Sequence, residues 1–416
     1  MSDGEFWEDF FKQAVASVTP SVCVPGALPD PSQYKEIKVI AVGKAAAAMA
    51  RAVERSWANQ RFSGLVVCPY AHQYECGRFE VIEAAHPVPD QNSLIAAQEA
   101  LAVAAAVGPG DLLLVLLSGG ASSLLCAPID GLALRHKRQI TSDLLKAGAA
   151  IDDINLVRSY YSKIKAGGLL AQVPKGAEVI TLAISDVVGD DPAKIGSGPT
   201  YWSVSSEERV RNVFEKYNIL VPEINLPLRE KPASSGNYSI VANANTMLAT
   251  AASWLLAKGF QHVDLGRTEQ GAAREVARRH AHYIAEYTKE HADTKIAFLS
   301  GGELTVKVLG SGTGGPNQEY LLAAMSRLVP GNFSGFAADT DGRDGVGGAA
   351  GAFFGPETHA QAFDMCDFDA FLKNNDSYNF FNEISGLFKV DPTLTNVNDV
   401  RVILYQPENF SPLTDM

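Results

Sequence analysis

Short, nearly unbroken apolar runs alternate along this chain with longer stretches whose apolar residues recur at helical spacing. In the first half the runs fall at residues 37–42, 65–68, 79–84, 112–117 and 179–184. The run 112–117 holds no polar residue, the pattern of a strand covered on both faces of a parallel sheet. The stretches 6–18, 45–57, 93–107 and 141–148 predict helices, and a basic helix is predicted over 152–165, stopped by Ala166, Gly167 and Gly168. Another helix from about 203 gives way to an irregular, proline-bearing connector at 226–236. The alternation then restarts, with strands predicted at 238–242, 262–265, 295–300, 304–308 and 400–405 and helices at 246–258 and 271–291. Such alternation predicts an α/β fold in two domains, 1–235 and 236–416.

The ends of these runs carry the candidate chemistry. The run at 295–300 stops at Gly301 and Gly302, and a loop with glycines at 310, 312, 314 and 315 leads into Pro316, Asn317 and an apolar helix. Proline suits a first helical position, where its missing donor has no intrahelical partner anyway. Glycines admit close approach of backbone amides to an anion and a helix amino end adds partial positive charge, so the stretch can handle phosphate or carboxylate. The alternative is that the glycines only make two turns. The run at 37–42 ends in Gly43 and Lys44 before an alanine-rich helix; it is not a Walker A loop, because that motif needs a glycine where Lys38 stands. Ser118, Gly119 and Gly120 close the run at 112–117 much as Ser300, Gly301 and Gly302 close the later one.

Acidic residues close two further runs. Asp186, Asp190 and Asp191 follow the strand at 179–184, where open α/β sheets place ligands. One such carboxylate can hold Mg²⁺ and another can accept a proton; the bland alternative is an acidic turn or cap. Asp339, Asp341 and Asp344 tempt an EF-hand assignment. The third falls one place late and position 350, where the closing Glu belongs, is Ala, so a magnesium-nucleotide site is the better expectation.

Composition narrows the classes. A chain of 416 residues is long for one core. A net charge of -12 argues against a nucleic-acid partner, though a local cluster of Lys and Arg can still invert the field within one cleft. Five scattered cysteines suit a reducing compartment, and Cys68, His72 and Cys76 match no standard zinc spacing. No run reaches membrane-spanning length, and the acidic amino terminus lacks the order of a signal peptide. The expected location is the cytoplasm, with no membrane partner. Homodimerisation is left open.

Taken in order, these motifs resemble the glycerate 2-kinase family of the MOFRL type, whose members often carry the label hydroxypyruvate reductase. The resemblance rests on Gly43 and Lys44, the stretch 86–90 (HPVPD), Ser118 to Gly120, 154–158 (INLVR), 185–190 (SDVVGD) with 197–200 (SGPT), and Gly301 to Glu303. It continues through Gly314 and Gly315 with 317–319 (NQE), 340–345 (TDGRDG), 374–376 (NND) and 395–399 (TNVND), and so spans about residues 6 to 405. It implies a larger amino-terminal Rossmann-like domain, a smaller carboxyl-terminal MOFRL-type domain, an active site in the cleft between, and ATP- and Mg²⁺-dependent phosphorylation of D-glycerate at the 2-hydroxyl. Three positions depart from the family pattern. Pro316 replaces an arginine, Ala166 interrupts a Lys-Gly-Gly run after Lys165, and residues 390–394 lack a glycine-rich approach. Lys307, Arg343 or Arg158 are the candidates to replace the missing arginine.

Phosphoryl transfer needs charge neutralisation and alignment more than covalent chemistry. On that basis Lys44 is expected on the transferring phosphate or the glycerate carboxylate, with Asp186 or Asp190 as proton acceptor or metal ligand. Ser118, Gly119, Gly120 and Arg158 are expected to bind substrate. Gly301, Gly302, Gly314, Gly315 and Asn317 are expected at the nucleotide, and Asp341 and Asp344 near the metal. The first alternative is a nicotinamide-dependent hydroxypyruvate reductase, but residues 310–315 (GSGTGG), with glycines at both the fifth and the sixth place, lie between a short strand and a proline-started helix and lack an acid about twenty residues on. The second is a catalytically weakened homologue that binds glycerate or nucleotide, for which Pro316 speaks.

Overall fold

The apolar runs of the first half are strands β1 (Ile37–Val42), β2 (Ser63–Pro69), β3 (Phe79–Ala84), β4 (Leu112–Leu117) and β5 (Glu178–Ile184) of the computed structural model. The structure describes residues 2–71, 76–203, 206–220, 231–234, 236–365 and 367–407. His72, Cys366 and most of the connector at 226–236 lie outside the described residues. With β6 (Gly236–Ala242) these strands form one sheet in the order β3-β2-β1-β4-β5-β6. Every pairing from β3 to β5 is parallel. This is the doubly wound Rossmann order, whose direction of winding reverses between β1 and β4. The alanines of the helix Gln91–Ala105 (Ala96, Ala97, Ala100, Ala104) let it lie close against Ile40, Val42, Val115 and Leu117. A second apolar cluster, around Leu144, Ile154, Val157 and Phe214, holds the helices Leu134–Lys146, Ile151–Tyr160 and Glu207–Lys216 together.

One expectation here is corrected. The basic helix ends at Tyr160, not Lys165. Ser162 bridges to Pro128, and its hydroxyl accepts the amides of Ile164 and Lys165, both at 3.3 Å. Ala166 and Gly167 then turn through positive φ, 52° and 81°. These contacts pull the segment off the helix axis and bury Lys165.

The chain divides into two compact units, Pro20–Val241 and a second made of Met1–Thr19 with Ala242–Met416. The first helix, Asp3–Ala16, therefore belongs with the carboxyl-terminal half rather than with the amino-terminal domain expected at 1–235. Its apolar face explains why: Trp7 stacks on Phe336 at 5.2 Å, and Phe10 and Phe11 meet Trp254 and Phe388 edge-on. Ser2 and Glu5 close its start with a capping box.

The second unit is built on β7 (Gln261–Asp264), β8 (Glu269–Ala272), β9 (Ile296–Ser300), β10 (Gly302–Thr305), β11 (Phe333–Asp339), β12 (Gly351–Phe354), β13 (Leu387–Phe388) and β14 (Asp399–Tyr405). Six of these form a mixed sheet, β13-β12-β11-β14-β9-β7, and β8 pairs with β10. The alternation expected to carry a strand to residue 308 ends at Thr305, and Val308 is exposed. The helix Pro316–Met325 is buried from Asn317 onward. Among the described residues no helix is long and apolar enough to cross a membrane.

Candidate active site

At the point where the winding reverses, two strand-end turns touch. Gly43 follows β1 with φ +130°, and a Cβ there would overlap Ser118. That absence lets the Lys44 amide donate to the Gly119 carbonyl at 2.8 Å and the Ser118 amide to the Val42 carbonyl at 3.0 Å. The Ser118 hydroxyl is fully buried and accepts the Ala45 amide at 3.0 Å, so Ser118 braces the two turns from behind. Gly119 faces Asp186, whose carboxylate a Cβ would overlap, and Gly120 faces the His86 ring. Lys44 and Asp186 are both half-buried. The structure thus gathers Lys44, the Ser118–Gly120 turn and Asp186 at the carboxyl ends of β1, β4 and β5. Asp190 lies in a tight turn, with φ 55° and its amide donating to Val187 at 3.0 Å.

Immediately past Gly120 lies a second cluster. Lys165 donates to the Ser122 carbonyl at 2.6 Å, to the Ser122 hydroxyl, and to the Ser197 hydroxyl at 3.5 Å. The two serine hydroxyls are 2.9 Å apart, and Arg158 donates to Ser122 at 3.1 Å. Lys137, also buried, donates to the Tyr161 carbonyl at 2.8 Å. Burial first, and then the neighbouring Arg158 and Lys137 charges, push the Lys165 ammonium well below the usual lysine range. Burial likewise lowers Arg158.

The glycine loop in the other unit has a different use. Four of its amides donate inside the protein: Leu309 and Gly310 to the Asn375 side chain at 2.7 and 3.0 Å, Ser311 to Asn374 at 3.1 Å, and Thr313 to Asp376 at 2.9 Å. Each glycine is small because something packs on it. A Cβ on Gly302 would strike the Glu269 backbone, one on Gly314 the Ser377 hydroxyl, and one on Gly315 Asp344; Gly301 meets the Leu248 side chain. Asn317, 1% exposed, donates to Asp399 at 2.7 Å and receives Arg401 at 3.4 Å. Glu319 takes both prongs of Arg274, at 2.8 and 3.1 Å, and the Asn375 amide at 2.9 Å. The residues expected to touch nucleotide thus also pack the parts of this unit together.

Asp341 and Asp344 do not fit a pair of metal ligands. Asp344 is buried, and its two oxygens accept the Asn317 and Gln318 amides at 3.0 and 2.9 Å, capping the helix that Pro316 opens. Burial pushes its carboxyl up to about 7, against the pull of those amides. Asp341, half-buried, accepts the Arg343 amide at 2.9 Å. Among the described residues no group of three His, Cys, Asp or Glu side chains is arranged to hold a metal ion.

Comparison with known proteins shows the family. The model of a domain of unknown function, DUF4147, matches residues 6–226, and the MOFRL family model matches residues 296–399. D-glycerate 2-kinase of Thermotoga maritima is 36% identical over 94% of this chain and 96% of its own. The chain belongs to the glycerate 2-kinase family. A crystal structure of glycerate kinase from the same organism superposes with a TM-score of 0.88 at 33% identity, covering 97% of this chain and 99% of that one. An Agrobacterium vitis relative bearing the provisional name hydroxypyruvate reductase is 40% identical over 95% of this chain and 92% of its own. Within the family's two matched regions, the DUF4147 part holds the Lys44, Gly119 and Asp186 turns, and the MOFRL part holds the glycine loop, Asn317, Glu319 and Asp344. Periodicity missed Lys165, Ser122 and Ser197. The available signal was a lysine in an otherwise apolar stretch, Ile164 to Ala166, just ahead of two glycines.

Proposed function

We propose that this protein phosphorylates D-glycerate at its 2-hydroxyl, using ATP and giving 2-phosphoglycerate. The observation that carries the reading is the meeting of Lys44, the Gly119 turn and the Asp186 carboxylate at the reversal point of the parallel sheet. In this reading the Lys44 ammonium neutralises charge on the transferring phosphoryl group. Asp186 accepts the proton as the substrate oxygen bonds to phosphorus and the bond to the leaving ADP oxygen breaks. Asp190 forms the turn beyond, and Arg158 offers a guanidinium to the acid's carboxylate. Gly301, Gly302, Gly314, Gly315 and Asn317 build the second unit and do not themselves grip the nucleotide. Pro316, at a first helical position where no donor is needed, is compatible with activity.

The test is a coupled assay with purified protein, ATP, Mg²⁺ and D-glycerate that separates 2- from 3-phosphoglycerate by chromatography. Accumulation of the 2-phosphate is expected. Binding of ATP and glycerate by calorimetry without turnover would replace this reading with that of a binding homologue. Hydroxypyruvate-dependent oxidation of NADH or NADPH would replace it with a reductase.

A further inference from the structure

Past the Gly120 turn the chain presents a serine to a buried lysine. Gly120 turns through φ +86° between β4 and the short helix Ala121–Leu124, and Ser122 stands on that helix, half-buried. A sharp strand-to-helix turn is also how α/β-hydrolases hold a nucleophilic serine clear of the sheet. Lys165 Nζ is within hydrogen-bond reach of the Ser122 hydroxyl, 2.6 Å from the Ser122 carbonyl and 3.5 Å from the Ser197 hydroxyl. The two hydroxyls are 2.9 Å apart. A nucleophile in reach of a base that a third group orients is the arrangement covalent catalysis needs. Here the Ser122 carbonyl orients the amine and Ser197 bridges it to the nucleophile. Lys165 is 1% exposed, and burial, then the Arg158 and Lys137 charges, favour its neutral amine, the form that takes up a proton. Phosphoryl transfer as read above leaves this trio without a task. It opens onto a cavity of about 690 Å³ that Arg135, Arg138 and Arg158 also line, with no Asp or Glu among its described lining residues. Such a basic wall favours an anionic guest.

We propose that Ser122 is the nucleophile of a second activity, the hydrolysis of small carboxylate-bearing esters through an acyl-serine, with Lys165 as its base. Ser122 Oγ bonds to the ester carbonyl carbon as its proton passes to Lys165 Nζ. Negative charge gathers on the carbonyl oxygen beside the Arg158 guanidinium, which donates to Ser122 at 3.1 Å. Collapse of that intermediate breaks the bond to the alcohol oxygen, and the alcohol leaves with the proton from Lys165. Water then attacks the acyl-serine, giving its proton to Lys165, which returns it to Ser122 as the acid departs. Arg135 and Arg138, both exposed and part of the chamber wall, receive the substrate's carboxylate. Water is the only co-reactant, so the inference stands apart from the kinase reading.

The test treats the intact chain, without nucleotide, with a fluorophosphonate and locates the adduct by peptide mass spectrometry. Hydrolysis of para-nitrophenyl acetate is compared with that of the para-nitrophenyl monoester of glutaric acid. Stoichiometric labelling of Ser122 is expected, lost in Ser122→Ala together with the hydrolysis. The carboxylate-bearing ester is expected to be favoured about ten-fold in kcat/KM, the effect of one hydrogen-bonded charge pair. Arg135→Gln/Arg138→Gln should close most of that gap. Lys165→Arg keeps a cation but no releasable proton, and should slow labelling by at least about 100-fold. The labelling rate of the natural protein should rise with pH and level off below the ordinary lysine range, among the neighbouring groups Arg158, Lys137 and Cys126. A merely structural lysine would produce no such step. If Lys165→Arg fails to fold by circular dichroism, the labelled residue and the pH profile still decide. An adduct elsewhere or nowhere, or hydrolysis that survives Ser122→Ala, would overturn the proposal, and equal rates on the two esters would overturn its substrate class. Ester hydrolysis without kinase turnover would remove only the kinase reading, and turnover without ester hydrolysis only this one.

Discussion

Gly119→Ala is the sharpest probe of the site, because a single methyl group is aimed at the proposed proton acceptor. A Cβ built on Gly119 overlaps one Asp186 oxygen, stands 2.9 Å from the carboxyl carbon and 3.5 Å from the other oxygen. Since 3.4 Å is about where ordinary contact begins, the carboxylate must move by something like an ångström. It can do so cheaply in folding terms, because Asp186 is half-buried and only its tip is displaced. A stability cost at the low end of the usual 1 to 3 kcal/mol for overpacking, about 1 kcal/mol, is expected. Catalysis is less forgiving: a misplacement of about 1 Å can cost roughly 100-fold, or about 2.7 kcal/mol of transition-state stabilisation. The assay is kcat/KM for 2-phosphoglycerate formation, with the thermal midpoint measured in parallel and Gly77→Ala as control, since a Cβ there meets nothing within 4 Å. Asp186→Asn should lose at least as much rate. A Gly119→Ala enzyme within about three-fold of the natural one would show that Asp186 is not the positioned base.

Lys44→Ala is expected to lower kcat by about 100- to 1000-fold, as for removal of one preorganised charge partner, while the thermal midpoint moves little; unchanged turnover would remove Lys44 from the mechanism. Arg401→Met leaves Asp399 charged and buried without its 2.6 Å partner, so urea unfolding should show a loss of about 3 to 5 kcal/mol. A loss below about 1 kcal/mol would mean that Asp399 is already neutral in the folded state. His280 is pushed down to about 3 by burial and then by the Arg401 and Arg279 charges, whereas an unfolded chain protonates it near 6.5. The unfolded state therefore binds the extra proton between those values, and this contribution to stability is present above pH 6.5 and is lost as the pH falls toward 3. His280→Gln should flatten the fall in urea midpoint between about pH 7 and pH 5.

How much of this was legible in the chain depended on what a residue's neighbours are. The strands at 37–42, 79–84 and 112–117 coincide with β1, β3 and β4, because an uninterrupted apolar run has only one comfortable environment. The position of Gly43, Lys44 and Asp186 at strand ends was legible because sequence order already encodes where the strands of a parallel sheet stop. β8 and β12 were not found: Glu269–Ala272 and Gly351–Phe354 carry no alternation, and both are held by partners distant in sequence. Lys165 was read as the tail of a helix because its helical spacing is genuine. Only the Ser162 hydroxyl and the reversed turn at Ala166 and Gly167 redirect it.

The two Ser-Gly-Gly strand endings show why glycine patterns alone could not assign chemistry. Gly119 and Gly120 leave room for Asp186 and His86, side chains that can titrate. Gly301 and Gly302 leave room for Leu248 and the Glu269 backbone, and their carbonyls accept the buried guanidinium of Arg401. Both pairs satisfy the same steric requirement, a backbone too close to its neighbour for a Cβ. What differs is whether that neighbour can exchange a proton or only hold a place. In the first unit it can. In the second the loop amides of residues 309–311 and 313 donate to Asn374, Asn375 and Asp376, Asp344 accepts the Asn317 and Gln318 amides, Arg274 pairs with Glu319 and Arg401 with Asp399. Pro316 stands at the first position of its helix, where no backbone donor is needed.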